Sequence, residues 1–253
     1  MYRVMILLIT LYITPSPLWS AEPDADALSY WPQWRGPLGT GAAPKGNPPV
    51  EWSEQQNIRW KTALPGPGFS TPAVWGNDIY LTAAITTEVT ASSGMSVKFT
   101  KPVKFMVVAI DRVSGKIKWE RLIREEIPHE GRHPTGSWAA NSPCTDGERV
   151  YAFFGSRGLY CFTTEGDLLW EKDFGDMRIR MEFGEGSSPA LYKDRLIVNW
   201  DHEGQSFIVA LDSATGEEIW KKNRDEGTTW ATPLVMEVAG QAQVITSATN
   251  RVR

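Results

Sequence analysis

The three histidines of the sequence lie in segments rich in carboxylates and tryptophans, and one segment has the spacing of a metal site. Residues 129–133 read His-Glu-Gly-Arg-His, the zinc-protease pattern in which two histidines on one helical face bind metal and the glutamate acts as base. Pro128 and Pro134 flank the segment and Gly131 interrupts it, so no helix is expected to align the histidines. We therefore predict neither a metalloprotease nor a metal site here.

Other catalytic patterns are weaker still. No Ser-His-Asp order stands out, and no glycine-rich phosphate loop follows a strand and opens a helix. The formal net charge of −4, without a run of Lys or Arg, gives no electrostatic reason to expect a nucleic-acid partner.

A repeat must position these segments. Three copies, at about 70–123, 141–174 and 187–224, open on Ser/Thr-Pro and close on a tight turn whose glycine precedes a tryptophan by four positions, and a partial copy covers 231–253. Each copy predicts four short antiparallel strands joined by turns. Repeated units of this kind are propeller blades, whereas a single antiparallel sandwich would not explain the recurring tryptophan.

The predicted fold is therefore all-β, an incomplete β-propeller of four-stranded antiparallel blades, about three whole and two partial. A lone final strand at 58–61 supplies the first partial blade. The predicted organisation is a signal peptide at 1–20, an N-terminal extension at 21–57 and a partial propeller at 58–253.

The predicted strand order sends the short turns to one face and the long connections to the other. The long connections are 86–104, 124–141, 177–186 and 200–206, and loops of this kind are where function concentrates. If the protein binds a ligand, we expect it on this long-loop face; the alternative is a set of solvated loops with aromatic residues packed at the channel mouth. The candidate ligand-binding residues are Arg132, His133, Trp138, Asn141, Arg157, Trp200, Asp201, His202, Glu203 and Trp230.

The pattern Ala-x-Asp-x-x-x-Gly-x-x-x-Trp, as in 109–119, resembles the repeat of pyrroloquinoline-quinone (PQQ) type propellers. Residues 31–37, Trp-Pro-Gln-Trp-Arg-Gly-Pro, resemble the N-terminal signature of exported bacterial members. The resemblance implies a tryptophan that docks between neighbouring blades, and a ring of seven or eight blades. The chain would then be a fragment, or would complete its ring by assembly. The implied docking residues are Trp119, Trp170, Trp220, Gly115, Gly166 and Gly216.

The two cysteines bear on whether the chain is an enzyme. Quinone-dependent dehydrogenases, which these repeats resemble, hold PQQ over calcium beneath a disulfide between adjacent cysteines, but Cys144 and Cys161 are seventeen residues apart. In the repeat pattern they fall on the first and third strands of one blade. Two strands that far apart in a sheet are separated by about 9.6 Å, which is beyond disulfide reach. We expect free thiols and no cofactor; Asp201 and Glu203 would be weak oxygen ligands for calcium.

The N-terminus predicts export. Arg3 precedes an apolar stretch at 4–13 that ends near the small pair Ser20-Ala21, the arrangement of a secretory signal peptide, with an uncleaved anchor as the alternative. The mature chain should be periplasmic or secreted, without a transmembrane segment.

The function expected from the sequence is a non-catalytic scaffold that binds a protein, peptide or glycan through its long-loop face. The propeller of outer-membrane barrel assembly is the functional analogue that the resemblance implies. The alternatives are a fragment of a PQQ-dependent dehydrogenase and a structural module of a larger enzyme.

Overall fold

The computed structural model describes residues 26–87 and 94–253; the predicted signal peptide lies outside them. The described chain forms three four-stranded antiparallel sheets and one two-stranded sheet, each built from consecutive strands. The all-β, partial-propeller prediction is confirmed. Among the described residues, no helix has the length and apolar character needed to cross a membrane.

Each sheet is one blade, and its strands follow one another without crossovers. Blade 1 contains β1 (Ala73–Trp75), β2 (Asp78–Thr86), β3 (Val103–Asp111) and β4 (Ile117–Glu126). Blade 2 contains β5 (Cys144–Thr145), β6 (Arg149–Phe153), β7 (Leu159–Thr163) and β8 (Leu168–Lys172). Blade 3 contains β9 (Ala190–Tyr192), β10 (Arg195–Trp200), β11 (Ser206–Asp212) and β12 (Glu218–Arg224). The hairpin of β13 (Leu234–Val238) and β14 (Gln241–Ile245) forms blade 4. Short 3-10 turns occupy Ala27–Ser29, Gly155–Arg157 and Arg180–Glu182.

The hydrophobic core lies between blades. Along β6, Val150 and Ala152 pack towards blade 1, whereas Tyr151 and Phe153 pack towards blade 3. This alternation follows from the two-residue period of a strand, which sends successive side chains to opposite faces of the sheet. Each inner blade is therefore buried on both faces and depends on both neighbours.

A tryptophan of each whole blade's last strand faces a small residue of the strand before it. Trp119 stands opposite Ala109, and Trp170 opposite Cys161. Ala210 and Trp220 repeat the arrangement in blade 3, and a register shift follows the small residue in all three blades. The small side chain leaves room for the indole ring.

Two of these indoles also contact the next blade. The Trp119 Nε1–H donates to Thr164 O at 2.8 Å, and its ring lies against Gly166. The Trp170 Nε1–H donates to Ser213 O at 3.2 Å, and its ring lies against Gly216. Trp220 is half-buried and packs in the core of blades 3 and 4.

The first partial blade differs from the prediction. Residues 58–61 form no strand, because no strand precedes them among the described residues for them to pair with. Trp60 nevertheless lies against Gly115 of blade 1 and donates its Nε1–H to Arg112 O at 3.0 Å. The tryptophan–glycine contact that joins neighbouring blades therefore also forms here, although Trp60 does not lie on a strand.

Both cysteines are free and buried, on β5 and β7, in agreement with the sequence prediction. Burial raises the pKa of the Cys161 thiol to about 12, and burial likewise raises that of Cys144. Both thiols therefore stay protonated and unreactive at neutral pH.

Residues 31–33 run across the first strands of three blades and are called the inner strap here. These strands contact their neighbours, and each ends its sheet with one edge free of sheet partners. The hydrogen bonds join Val74 N to Trp31 O (2.8 Å), Thr145 N to Pro32 O (2.9 Å) and Leu191 N to Gln33 Oε1 (2.8 Å). Three consecutive strap residues thus bind the equivalent residue, the second of the first strand, in three consecutive blades.

Two glycine substitutions separate the inter-blade contact from backbone strain. Gly166 (φ +89°) and Gly175 (φ +90°) share a left-handed backbone, but a Cβ on Gly166 would meet the Trp119 ring at 2.8 Å, whereas Gly175 has no atom within 4 Å. Both Gly→Ala variants should lose about 1 kcal/mol of unfolding free energy to strain, and Gly166→Ala about 1–3 kcal/mol more. Urea denaturation measures the difference; equal losses would contradict the role of the contact.

The strap can be tested through one side chain. Gln33→Ala removes the acceptor of the Leu191 N–H, so this amide should exchange with solvent roughly tenfold faster. Gln33→Glu keeps a side-chain oxygen and serves as the control. Hydrogen exchange followed by NMR measures the rates, and an unchanged Leu191 rate in Gln33→Ala would show that the strap does not hold blade 3.

Candidate functional site

The long-loop ends of blades 2, 3 and 4 surround a narrow cavity that offers about 10 Å³ to a water-sized molecule, enough for about one water. Its walls come from the segments that lead into the first strands of blades 2, 3 and 4 and from the ends of β6 and β10. The lining residues are Asn141, Phe153, Met177, Ile179, Glu185, Gly186, Ser187, Asn199, Asp201, Thr229 and Trp230. We call this space the mouth cavity.

Two buried amides of the mouth cavity each have an oxygen without a hydrogen-bond partner. Asn141 donates its Nδ2–H to Ser187 O at 2.6 Å, and Asn199 donates to Asp201 Oδ2 at 3.2 Å. The Oδ1 atoms of both amides are fully buried and accept no hydrogen bond. An unpaired buried acceptor costs about 1–3 kcal/mol, so the site favours an occupant that donates hydrogen bonds.

Glu185 is held beside the cavity by a turn that only glycine permits. Its carboxylate accepts Ser156 N and Ser156 Oγ, both at 2.6 Å, and Arg157 Nη1 at 3.3 Å. A Cβ on Gly155 would collide with Glu185 Oε2 at 1.4 Å. Burial raises the pKa of Glu185 although Arg157 acts in the opposite direction.

Arg157 is itself almost completely buried and binds two carboxylates. Its Nε donates to Glu126 Oε1 at 3.1 Å while Nη1 faces Glu185, and its Nη2 lies 3.3 Å from His129 Nδ1. The His129 Nε2 lies 2.7 Å from Met177 O, so Nε2 carries the hydrogen and Nδ1 accepts from the guanidinium.

A second buried ion pair closes the cavity on the side of blade 3. Arg224 donates from Nε and Nη2 to the two carboxylate oxygens of Asp201, at 2.7 and 2.9 Å. This two-point geometry fixes the carboxylate strongly. Asp201 then orients Asn199 by accepting its amide hydrogen.

The ten residues predicted for the long-loop face divide into three groups. Asn141, Asp201 and Trp230 line the mouth cavity, and Trp230 is 43% exposed with its Nε1–H bonded to Gly184 O at 2.7 Å. Arg157 and Trp200 are buried beneath it. The remaining five, in the surrounding loops, are Arg132, His133, Trp138, His202 and Glu203.

Those five side chains have structural partners. Arg132 donates to the carbonyls of His133, Pro134 and Gly136, and its guanidinium lies over the ring of Trp138. His133 meets Phe183 edge to face. The backbone N–H of Arg178 donates to His202 Nδ1, and the backbone N–H of Thr228 donates to Glu203 Oε1.

The His-Glu-Gly-Arg-His segment has no helix in the structure. Glu130, which the protease pattern would make the base, accepts the Ile179 N–H at 2.8 Å instead. Within the described residues, no cluster of three or more His, Cys, Asp or Glu side chains is placed to hold a metal ion.

Sequence reasoning missed Glu185 and Asn199. Glu185 lies two residues before Ser187, at the end of a connection that carries no motif. Asn199 sits within the apolar strand β10, and a polar residue at a fully buried strand position was the available signal.

The residues of the mouth cavity do not fit PQQ. A tricyclic quinone needs far more space than one water molecule occupies, and the carboxylate oxygens of Glu185 and Asp201 already bind arginine and serine groups. We derive no quinone chemistry from this site.

Consecutive four-stranded sheets, joined through tryptophan–glycine contacts around a shared inner edge, define a β-propeller repeat protein. The sequence matches the family described as outer membrane protein assembly factor BamB over residues 49–185 and 103–253. The chain belongs to this family of PQQ-like repeats. No curated protein matches the sequence.

Solved structures with similar folds are distant in sequence. A europium-containing methanol dehydrogenase has a TM-score of 0.40 at 16% identity, over 62% of this chain and 24% of that one. Quinohemoprotein alcohol dehydrogenase from Comamonas testosteroni gives 0.42 at 16%, over 64% and 22%. BamB from Moraxella catarrhalis gives 0.38 at 13%, over 58% and 44%. The match thus spans less than half of each of these structures.

Replacing Arg157 with methionine should show how much the buried Glu185 carboxylate lowers the unfolding free energy when it has no cationic partner. Arg157→Met leaves Glu185 without its guanidinium and should lower the unfolding free energy by about 3–5 kcal/mol at neutral pH. Burial raises the folded-state pKa of Glu185 above its unfolded value, so the folded chain takes up the proton first as pH falls. The loss should therefore shrink on acidification to about pH 5.

Urea denaturation at both pH values measures this effect. The double variant Arg157→Met/Glu185→Gln is the control, and it should recover most of the stability because Glu185 no longer leaves a buried charge without a partner. A loss that is independent of pH, or a double variant as unstable as the single one, would show that Glu185 is not the cause.

Proposed function

We propose that this chain is an exported β-propeller scaffold that binds a protein, peptide or glycan at its long-loop face. The observation that carries the proposal is the mouth cavity, where an exposed tryptophan lies beside buried acceptors that lack a donor. Trp230 offers a rigid apolar surface, and Asn141 and Asn199 offer oriented oxygens. Proteins, peptides and glycans all carry the N–H or O–H groups that such oxygens accept.

The ionisable side chains near the cavity favour binding over catalysis. Arg157, Glu185, Asp201 and Arg224 are held in buried ion pairs, and His129 is fixed by its two ring nitrogens. A general base or nucleophile needs an atom within reach of substrate. Here the charged groups hold the walls of the site in place.

Membership of the family also supports a scaffold. Its description names an outer membrane protein assembly factor, which suggests a protein partner and an exported location for this chain. The predicted signal peptide supports the same location.

The test compares one tryptophan of the mouth cavity with one that does not line it. Purified full-length chain is applied to an array of synthetic peptides and to an array of glycans, and ligands found there are titrated by calorimetry. Trp230→Ala should weaken their binding about thirtyfold, the usual effect of losing an interface tryptophan that contributes about 2 kcal/mol. Trp34→Ala is the control, because Trp34 is similarly exposed (40%), follows the inner strap in the sequence and does not line the mouth cavity.

Thermal melting of both variants first establishes that they are folded. Equal affinities of the two variants would contradict binding at this face, as would a folded chain that binds neither array. A saturable rise of Tm with PQQ and calcium, reversed by a chelator, would overturn the scaffold in favour of the dehydrogenase alternative.

A further inference from the structure

We infer that the mouth cavity recognises a primary ammonium group, such as that of a lysine side chain or a polypeptide N-terminus. The inference rests on the proposed function, because it names the part of the partner that enters the site. It follows from four properties of the cavity: the direction of its hydrogen bonds, its charge, its size and its rim.

The hydrogen-bond direction is fixed by the two amides. The nitrogen of Asn141 is held by Ser187 O, and that of Asn199 by a carboxylate oxygen of Asp201. Turning either amide over would place oxygen against oxygen, so the unpaired atoms on both side chains are acceptors. The occupant must therefore be a donor, which excludes anions and carbonyl groups.

The charge of the lining is negative. Glu185 and Asp201 line the cavity, and none of its eleven lining residues is lysine, arginine or histidine. Arg224 pairs with Asp201, whereas Arg157 is shared between Glu185 and Glu126, so the ion pairs beside the cavity hold three carboxylates and two arginines. Burial holds the pKa of Glu185 high, and a cation in the cavity would favour its charged form.

The size and rim select among cations. Space for about one water admits an ammonium head, which carries three N–H donors, but not a planar guanidinium. The Trp230 ring lies against Gly186 in the cavity wall, and an aromatic face near a cation adds attraction. A partner's alkyl chain would leave the cavity along this exposed ring.

A calcium ion fits less well. Calcium takes six to eight oxygen ligands, whereas the carboxylate oxygens here are already bonded to arginine, serine and amide groups. Among the buried side-chain oxygens and nitrogens that the structure describes, only the two amide oxygens lack a hydrogen-bond partner. Water matches the size but does not offset this excess of one carboxylate, and it is an outcome that the experiment distinguishes.

The experiment titrates the full chain with methylammonium chloride at constant ionic strength, following the side-chain amide resonances of Asn141 and Asn199 by NMR. Saturable shifts are expected. Tetramethylammonium, with the same charge but no N–H, and methanol, a neutral donor, should cause none. Asn199→Leu should weaken methylammonium binding at least roughly tenfold. Asn223→Leu, at an exposed position of β12, should not change it.

Because Asn199→Leu could disturb the core, Asn141→Ala provides a second variant that removes the other unpaired amide oxygen, and it should likewise weaken methylammonium binding at least roughly tenfold. Shifts of equal size with tetramethylammonium or methanol would overturn the inference. Shifts produced by calcium chloride and reversed by a chelator would make this a metal site, and no response to any probe would make it a water site.

The inference can fail while the proposed function stands. Acetylating the amines of a peptide that binds through Trp230 should weaken its binding at least roughly tenfold. A peptide or glycan whose binding depends on Trp230 but not on an amine would support the scaffold function and contradict the recognition of an ammonium group.

Discussion

The indole of a blade's last strand lies against the glycine turn of the next blade, and the geometry of the whole propeller depends on this contact. At Gly166 and Gly216 the ring occupies the place of a side chain, and the indole N–H satisfies a carbonyl of the same turn. The contact fixes the distance and angle between two sheets at their outer edges. The apolar cores then fill the wedge between sheets whose separation is already set.

The shape of the mouth cavity depends on the distance and angle between neighbouring blades. Asn141 and Phe153 belong to blade 2, Asn199 belongs to blade 3, and Trp230 precedes blade 4. No blade could form the cavity alone. Small changes in the angle between blades would separate the amide oxygens, because buried ion pairs on either side of the cavity hold each wall rigidly to its own loops.

The repeat made the fold predictable, whereas the site was predictable only in part. Glycine and tryptophan recur at a fixed offset because every blade meets the next in the same way, so a single sequence carries the signal several times. Glu185 and Asn199 occur once each and serve one cavity, so no internal comparison marks them. Arg157 was predicted as a ligand-binding residue, but its burial between carboxylates depends on the end of β4 in blade 1 and on the connection into blade 3, which the sequence order does not show.

The inner strap gives the propeller an order of completion. Gln33 and Leu191 lie 158 positions apart in the chain, so their bond closes a loop that encloses blades 1 and 2. Contacts of such long sequence separation form late, because closing the long loop between them costs entropy and the local sheets form first. Until blade 3 has docked, the strap is bonded only to blades 1 and 2, and the chain at Gln33 stays more accessible to proteases. Resistance to cleavage near Gln33 would thus report, from one end of the chain, that three blades have assembled.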